Sequence, residues 1–395
     1  MIALFWFSNS IFAQRGLIDT ADFTQKKDIV DVILSYKLLD TTYKPPARVS
    51  KRLRVSLLPT VAGTPGGEGV AYVTAITASM FLGNPQTTNL SSIYFFPYTN
   101  FKGKWIFPIK SYIWTKDNRW NFVGDYRFLI YPELTYGLGS SSKKEDATEV
   151  KYKQFRFHQS VLRNVFSYLV VGGGIRIDEH FDIEVNADST ASANYFAYYH
   201  EPPFREFTSN GLTATTAFDS RMNSLNPQQG IYASATFSHI NKAFGSTTNW
   251  NSIVTRLKLY HSFNTKKQNL IAFWLMYWQV LSGKPPYLDL PATLWDTDYK
   301  AGRGYYPARF RGDAMAFMEA EYRFDITKNG LWGGTLWSNA QTLSSPTTNA
   351  FGSIAPAGGV GLRLKFNKFS NTNLTFDIGI GRQSWNYYFS LGEYF

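Results

Sequence analysis

The sequence predicts an all-β protein: a sixteen-stranded antiparallel transmembrane β-barrel preceded by a short N-terminal helix. Three observations lead there. Aromatic residues make up 17% of the chain, with 25 Tyr, 32 Phe and 11 Trp, yet mean hydropathy is −0.23, so apolar side chains are interleaved with polar ones. Past the N-terminus no stretch approaches the roughly 18 uninterrupted apolar residues of a spanning helix. From about residue 52 onward, strand-like segments with alternating faces follow one another, and their connections sort into long and short. A soluble all-β protein fits the composition as well. Repeated alternation without a helical layer to cover it, together with the sorting of connections, favours the barrel.

Taken in order, MIALFWFSNSIFAQ opens the chain. An apolar core, Ile2 to Phe7, precedes the small-residue site Ile11-Phe12-Ala13, which resembles a secretory signal peptide over residues 1–13, although a basic n-region is missing. Residues 14–51 are a polar segment, expected in the periplasm. Within it, residues 23–39 place Ile29, Val32, Ile33 and Tyr36 at the i, i+3, i+4, i+7 spacing of an amphipathic helix. Asp22 is its expected N-cap, and Lys44-Pro45-Pro46 stops it. The barrel is expected over 52–395. Its segments centre on 52–60, 69–80, 88–97, 103–114, 119–131, 149–160, 166–177 and 208–219 in the first half. The second half follows with 229–240, 249–262, 268–280, 313–325, 331–341, 357–366, 372–381 and 386–395, bounded by Gly, Asn, Pro, Ser and Lys clusters.

Successive strand side chains point to opposite faces. In AMAFMEAEYRF (314–324), Met318, Ala320, Tyr322 and Phe324 share one face, while Glu319, Glu321 and Arg323 share the other. In NLTFDIGI (373–380), Leu374, Phe376, Ile378 and Ile380 oppose Thr375 and Asp377. These are an apolar wall and a charged wall. Connections 132–148, 178–207, 281–312 and 342–356 all follow odd-numbered strands, whereas TKDN (115–118) and TKNG (327–330) follow even ones. That is the pattern of long extracellular loops and short periplasmic turns.

The connection 281–312 ends in GRGYYPARFRG (302–312), with three arginines beside aromatics and glycines. Arg303-Gly304-Tyr305 in the long loop before the twelfth strand is similar to the signature of the BamA-like superfamily of outer-membrane assembly and translocation barrels, the bacterial surface antigen family. FDSRMNSLNPQQG (218–230) resembles its Asp-x-Arg…Asn-Pro-x-x-Gly turn through Asp219, Arg221, Asn226, Pro227 and Gly230. EAEYRF (319–324) resembles its Glu-x-Arg strand, and the chain ends in Phe395, like its C-terminal assembly signal. The resemblance covers about residues 52–395. It implies that the loop folds into the lumen, where Arg303 is locked by wall residues: Glu319, Glu321, Asp377, Arg323 and Asn339. A guanidinium is permanently charged and matches carboxylates bidentately, and a buried one is costly without such partners. Asn339 stands where many relatives carry an Asp, so the clasp is expected to rely on other carboxylates. Residues 14–51 are too few for a POTRA domain, which makes a barrel-only member the expectation.

The resemblance implies assistance in inserting or exporting proteins, or lipid, through a seam between the first and last strands that Gly392 weakens. Expected partners are outer-membrane lipid and lipopolysaccharide, unfolded outer-membrane clients and periplasmic or envelope subunits. The alternatives are a passive channel lined by Arg256, Lys258 and Arg323, or a structural subunit of an envelope complex. The +11 charge is dispersed, which gives no support to nucleic-acid binding. With Cys absent, disulfides and thiolate metal sites are excluded. No catalytic residue, cofactor or metal is expected: Asp178, Glu179, His180, Asp182 and Glu184 read as a solvated charged rim, and no serine motif supports a hydrolase. VVGGGI (170–175) reads as a tight wall position, and GTPGGEG (63–69) as the first extracellular turn.

Overall fold

The structure, a computed structural model, describes residues 26–29, 31–32, 53–63, 70–85, 87–185, 205–221, 223, 226–263, 268–345, 347–348, 350–368 and 371–395. The expected signal peptide, the Asp22 cap, most of the helix over 23–39 and most of the turn 63–69 lie outside these residues. What is described before the sheet is the start of a helical turn. The main-chain N–H of Val32 donates to the carbonyl of Asp28, and the Asp28 and Asp31 side chains each accept from the other's main-chain N–H at 3.0 Å.

The rest is an antiparallel sheet. Its segments run β1 (Arg54–Gly63), β2 (Val70–Met80), β3 (Ser91–Phe95), β4 (Tyr98–Thr99), β5 (Trp105–Trp114) and β6 (Trp120–Thr135). Then come β7 (Thr148–Phe166), β8 (Leu169–Val185), β9 (Phe207–Asp219), β10 (Gly230–Ile240), β11 (Trp250–Ser262) and β12 (Asn269–Gly283). The last are β13 (Ala314–Asp325), β14 (Trp332–Ser345), β15 (Ala350–Phe351), β16 (Ala355–Asn367), β17 (Thr372–Gly381) and β18 (Ser384–Leu391). β3 and β4 flank Phe96-Pro97 and both pair with β2 and β5, so they are two parts of one strand. Proline has no N–H to give the ladder, and the break falls there. β15 adds two residues to β14. Counting β3 and β4 as one strand and β15 as part of its neighbour gives sixteen strands among the described residues, each at a predicted position.

Several strands run past their predicted ends, β7 to Phe166 and β14 to Ser345 among them, and two boundaries bear on the interior. β8 continues to Val185, eight residues past its predicted end, so Asp178 and His180 are strand residues buried to 0% and 2% exposure. The solvated-rim reading is wrong for both. Asp178 is clamped by Arg156 at 2.5 Å and by His158 and Arg176 at 2.7 Å. The final strand also ends early, at Leu391. Gly392 takes φ +95°, a conformation that side chains with a Cβ rarely adopt, and Glu393, Tyr394 and Phe395 turn inward and are buried.

The contacts of the connection 284–313 show the sheet's curvature. Asp298 meets Lys110 of β5 at 2.8 Å, and Gly304 donates to Tyr388 of β18 at 2.7 Å. In a flat sheet these strands would lie on the order of 60 Å apart. Six residues of chain span at most about 20 Å. The sheet therefore curls around this segment. Its inner face carries the charged residues and its outer face exposes Met318, Leu336, Val360, Ile378, Ile380 and Trp385. The inner face of β12 breaks the pattern. Leu270, Ala272, Trp274 and Met276 point in and pack with Phe317, Tyr260 and Phe395, so the interior has an apolar core beside its ions.

Each long strand is laddered to its chain neighbours. β1 and β18 approach within 8 Å between Cα atoms, but no ladder joins them among the described residues.

Candidate functional site

Register brings the site together. Directly opposed residues share a face of an antiparallel sheet, so three rows form across β13, β14, β16, β17 and β18. One holds Glu319, Asn339, Ala357 and Gly381; the next Glu321, Trp337, Gly359, Gly379 and Asn386; the third Arg323, Thr335, Gly361, Asp377 and Tyr388. The β13 and β14 side of this patch is built of large polar and aromatic groups. The β16 and β17 side is a floor of glycines. A Cβ at Gly359 or Gly379 would fall 2.4 Å from the Trp337 ring, and one at Gly381 2.6 Å from the Tyr305 ring.

Arg303 lies over this patch at 0% exposure. Its Nη2 is 2.6 Å from Glu319 and also pairs with Glu321, and its Nη1 is 3.7 Å from Asp377. The guanidinium plane is held between the rings of Trp337, at 4.0 Å, and Tyr394, at 4.2 Å. Arginine stacks and forks at once, which lysine cannot do. Asn339 uses its amide to donate to the Arg303 carbonyl at 2.8 Å and to Glu319 at 3.1 Å. It thus grips the loop backbone instead of supplying charge. Gly304 has φ +97°, and a Cβ there would fall 2.6 Å from that of Ala357. Tyr305 is fully buried; its hydroxyl donates to the Pro356 carbonyl at 2.7 Å and accepts from the Arg382 N–H at 3.1 Å.

The ion cluster extends to the chain's end. Arg323 donates to Glu321 at 2.6 Å and to the main-chain oxygen of Phe395 at 2.9 Å. Arg363 bonds Asp377 and Glu393, each at 2.9 Å, and Asn373 donates to Glu393 at 2.6 Å. Three guanidiniums thus face the four carboxylates Glu319, Glu321, Asp377 and Glu393. Sequence reasoning omitted Arg363 and Glu393. Arg363 was legible, since it alternates with outward Leu362 and Leu364. Of the residues expected to line an open channel, Arg323 is locked in this cluster and Lys258 is buried over the Trp274 ring at 4.7 Å. Arg256 donates to Thr297 at 2.8 Å.

A second anchorage, unforeseen from sequence, holds the loop's other limb. Glu133 of β6 accepts from Arg311 at 3.1 Å and from Trp295 and Tyr152 at 2.8 Å. Asp289 accepts from Ser209 at 2.5 Å and lies 4.0 Å from His180. Burial, reinforced by the charge of Asp178, pushes the Asp289 carboxyl up to about 6. Glu133 had a signal, because its two-residue spacing from Tyr131 and Thr135 puts it on the inner face.

At the opposite end of the sheet, Asp219 and Arg221 form a two-point pair at 2.8 Å. Buried Asn226 donates to the carbonyl of Asn371 at 3.0 Å and accepts from Gln228 at 2.8 Å, beside buried Pro227. Gly230, where β10 begins, has φ +111°, and a Cβ there would fall 2.8 Å from the Ser220 carbonyl oxygen. The β9–β10 turn therefore reaches the β16–β17 turn across the inside. Lys368 of that second turn bonds both Asp28 and Asp31.

No protein-family model and no curated protein matches the chain. Solved structures do. BamA from Haemophilus ducreyi lacking POTRA domains 1–3 superposes with a TM-score of 0.57 at 11% identity, over 87% of this chain and 75% of that one. The fold is BamA-like. CdiB from Acinetobacter baumannii gives a TM-score of 0.56 at 12% identity, again over 87% of this chain. This chain spans 60% of the CdiB length. In this interior the loop is anchored twice and the tail is tucked beside it.

Proposed function

We propose that the chain is an integral outer-membrane barrel, closed by β1 against β18, that assists the insertion or export of proteins, or lipid, at that membrane. The observation that carries the reading is the unladdered approach of β1 and β18 in a sheet otherwise paired throughout. Unsatisfied backbone groups are expensive in hydrocarbon, so such a seam is a weak line at which an incoming strand gains hydrogen bonds by augmentation. The inward tail shortens β18 further. The latch of Arg303 supports the reading in a second way, because a loop bonded to β13, β14 and β18 fixes the wall beside the seam. The outward apolar face and the +11 charge suit a lipid surroundings with anionic headgroups.

The chain has no cysteine, so pairs introduced along β1 and β18 give a clean test. Reconstituted in vesicles, the oxidised pair is expected to abolish the acceleration that the reduced protein gives to folding of an unfolded barrel client. Unchanged acceleration after locking would defeat the proposal. A large, stable, anion-selective conductance unaffected by Arg303→Ala would instead favour a passive channel.

A further inference from the structure

A cavity of about 310 Å³ opens where the loop after β6, the end of the 284–313 connection and the β17–β18 hairpin meet. Arg309, Arg382 and Lys143 line it against a single carboxylate, Glu145. None of the three cations forms an ion pair among the described residues, in contrast to the arginines of the clasp. Arg309 is only 3% exposed. Its guanidinium donates to the hydroxyl of Ser142 at 3.2 Å and to the Ser142 carbonyl at 3.0 Å, and its buried Nε has no partner. Arg382 is tied to Ser353 at 3.3 Å and to the carbonyl of Ile354 at 3.0 Å, so its head is held at the rim. A buried guanidinium served by neutral oxygens and by the rings of Tyr136 and Phe310, at 4.8 and 4.4 Å, still carries part of its desolvation cost. An oxyanion is the group that relieves it, through charge-assisted bonds.

We infer that this cavity binds a phosphate monoester. Three cations against one carboxylate leave two positive charges, which match a dianionic phosphate better than a carboxylate, and the volume accommodates a sugar-sized group. Ile354, whose carbonyl accepts from Arg382, and Ile380 and Trp385, close to Arg382 along the β17–β18 hairpin, are exposed by 64%, 66% and 56%. The phosphate can therefore arrive on a lipid headgroup or as a free sugar phosphate. Only the lipid source rests on the membrane placement proposed above.

The test uses the full chain, first in detergent with inorganic phosphate and glucose 1-phosphate by titration calorimetry, then in nanodiscs of phosphatidylcholine with and without phosphatidic acid. Saturable binding is expected that weakens about tenfold in Arg382→Gln and in Arg309→Gln, and that Lys151→Gln leaves alone. Saturation by the soluble phosphates identifies a free ligand, and saturation by phosphatidic acid alone a lipid. Absence of saturation by all of them, or binding that Arg382→Gln changes less than twofold, overturns the inference. Arg382 is exposed, so its variant remains informative should Arg309→Gln fail to fold. Client insertion is not measured, so this outcome is independent of the proposed function.

Discussion

Replacing Arg303 by alanine removes the cation on which Glu319 depends. Glu321 keeps Arg323 and Arg363, and Asp377 keeps Arg363, but Glu319 retains only the amide of Asn339. Breaking one side of a buried pair costs about 3–5 kcal/mol. At about 1.4 kcal/mol per decade, the loop's opening equilibrium should rise on the order of 10²- to 10⁴-fold. Hydrogen–deuterium exchange reads this directly, because the amides of Tyr305, Ala308 and Arg309 are bonded within the loop. Their protection should fall by that factor, while β7 and β8, far from the clasp, keep theirs. Arg303→Lys should fall between, since it keeps the charge but loses the fork and the two-ring stack. A change below about fivefold in Arg303→Ala would refute the account of the clasp as the loop's main restraint.

Gly361→Ala places a Cβ 1.8 Å from Asp377 Oδ1 and 2.4 Å from Arg363 Nη1; the ion pair must shift at a cost of about 1–3 kcal/mol, visible as a lower midpoint for heat-induced mobility change on gels. Phe395→Ala empties space against Tyr260 and Trp274 and should cost about 3–5 kcal/mol in the same assay. The raised carboxyl of Asp289 binds its proton more tightly when docked than when free, so docking of the loop's first limb is strongest in acid and weakens as pH rises from about 4 to 6. Exchange protection near residue 289 should follow that curve, and Asp289→Asn should flatten it.

Strand positions were legible because alternation is a local property. β13 was predicted at 313–325 and forms over 314–325. What escaped depends on partners distant in sequence. Asp178 and His180 looked like loop residues by polarity, but Arg156 and Arg176 pair with Asp178, and His180 stacks on Phe207. Trp274 and its neighbours read as one unbroken apolar run, the ambiguity of any strand covered on both faces. Nothing local says that the second cover is the protein's own tail. The clasp was legible in part: Arg303, Glu319, Glu321 and Asp377 were named by motif and alternation, whereas the glycine floor on which Trp337 and Tyr305 rest needed the register.

The inward bend at Gly392 makes the two entrances to the sheet's last column unequal. At one end the column closes in a two-residue hairpin, with Arg382 fastened to its neighbours. At the other it stops at Leu391, and the chain that could have supplied further rungs is spent inside on Arg323, Arg363 and Trp274. In the orientation expected from the long and short connections, that unfinished end faces the periplasm, so a polypeptide arriving from the cell would meet bare rungs first, and one arriving from outside would meet a sealed cap.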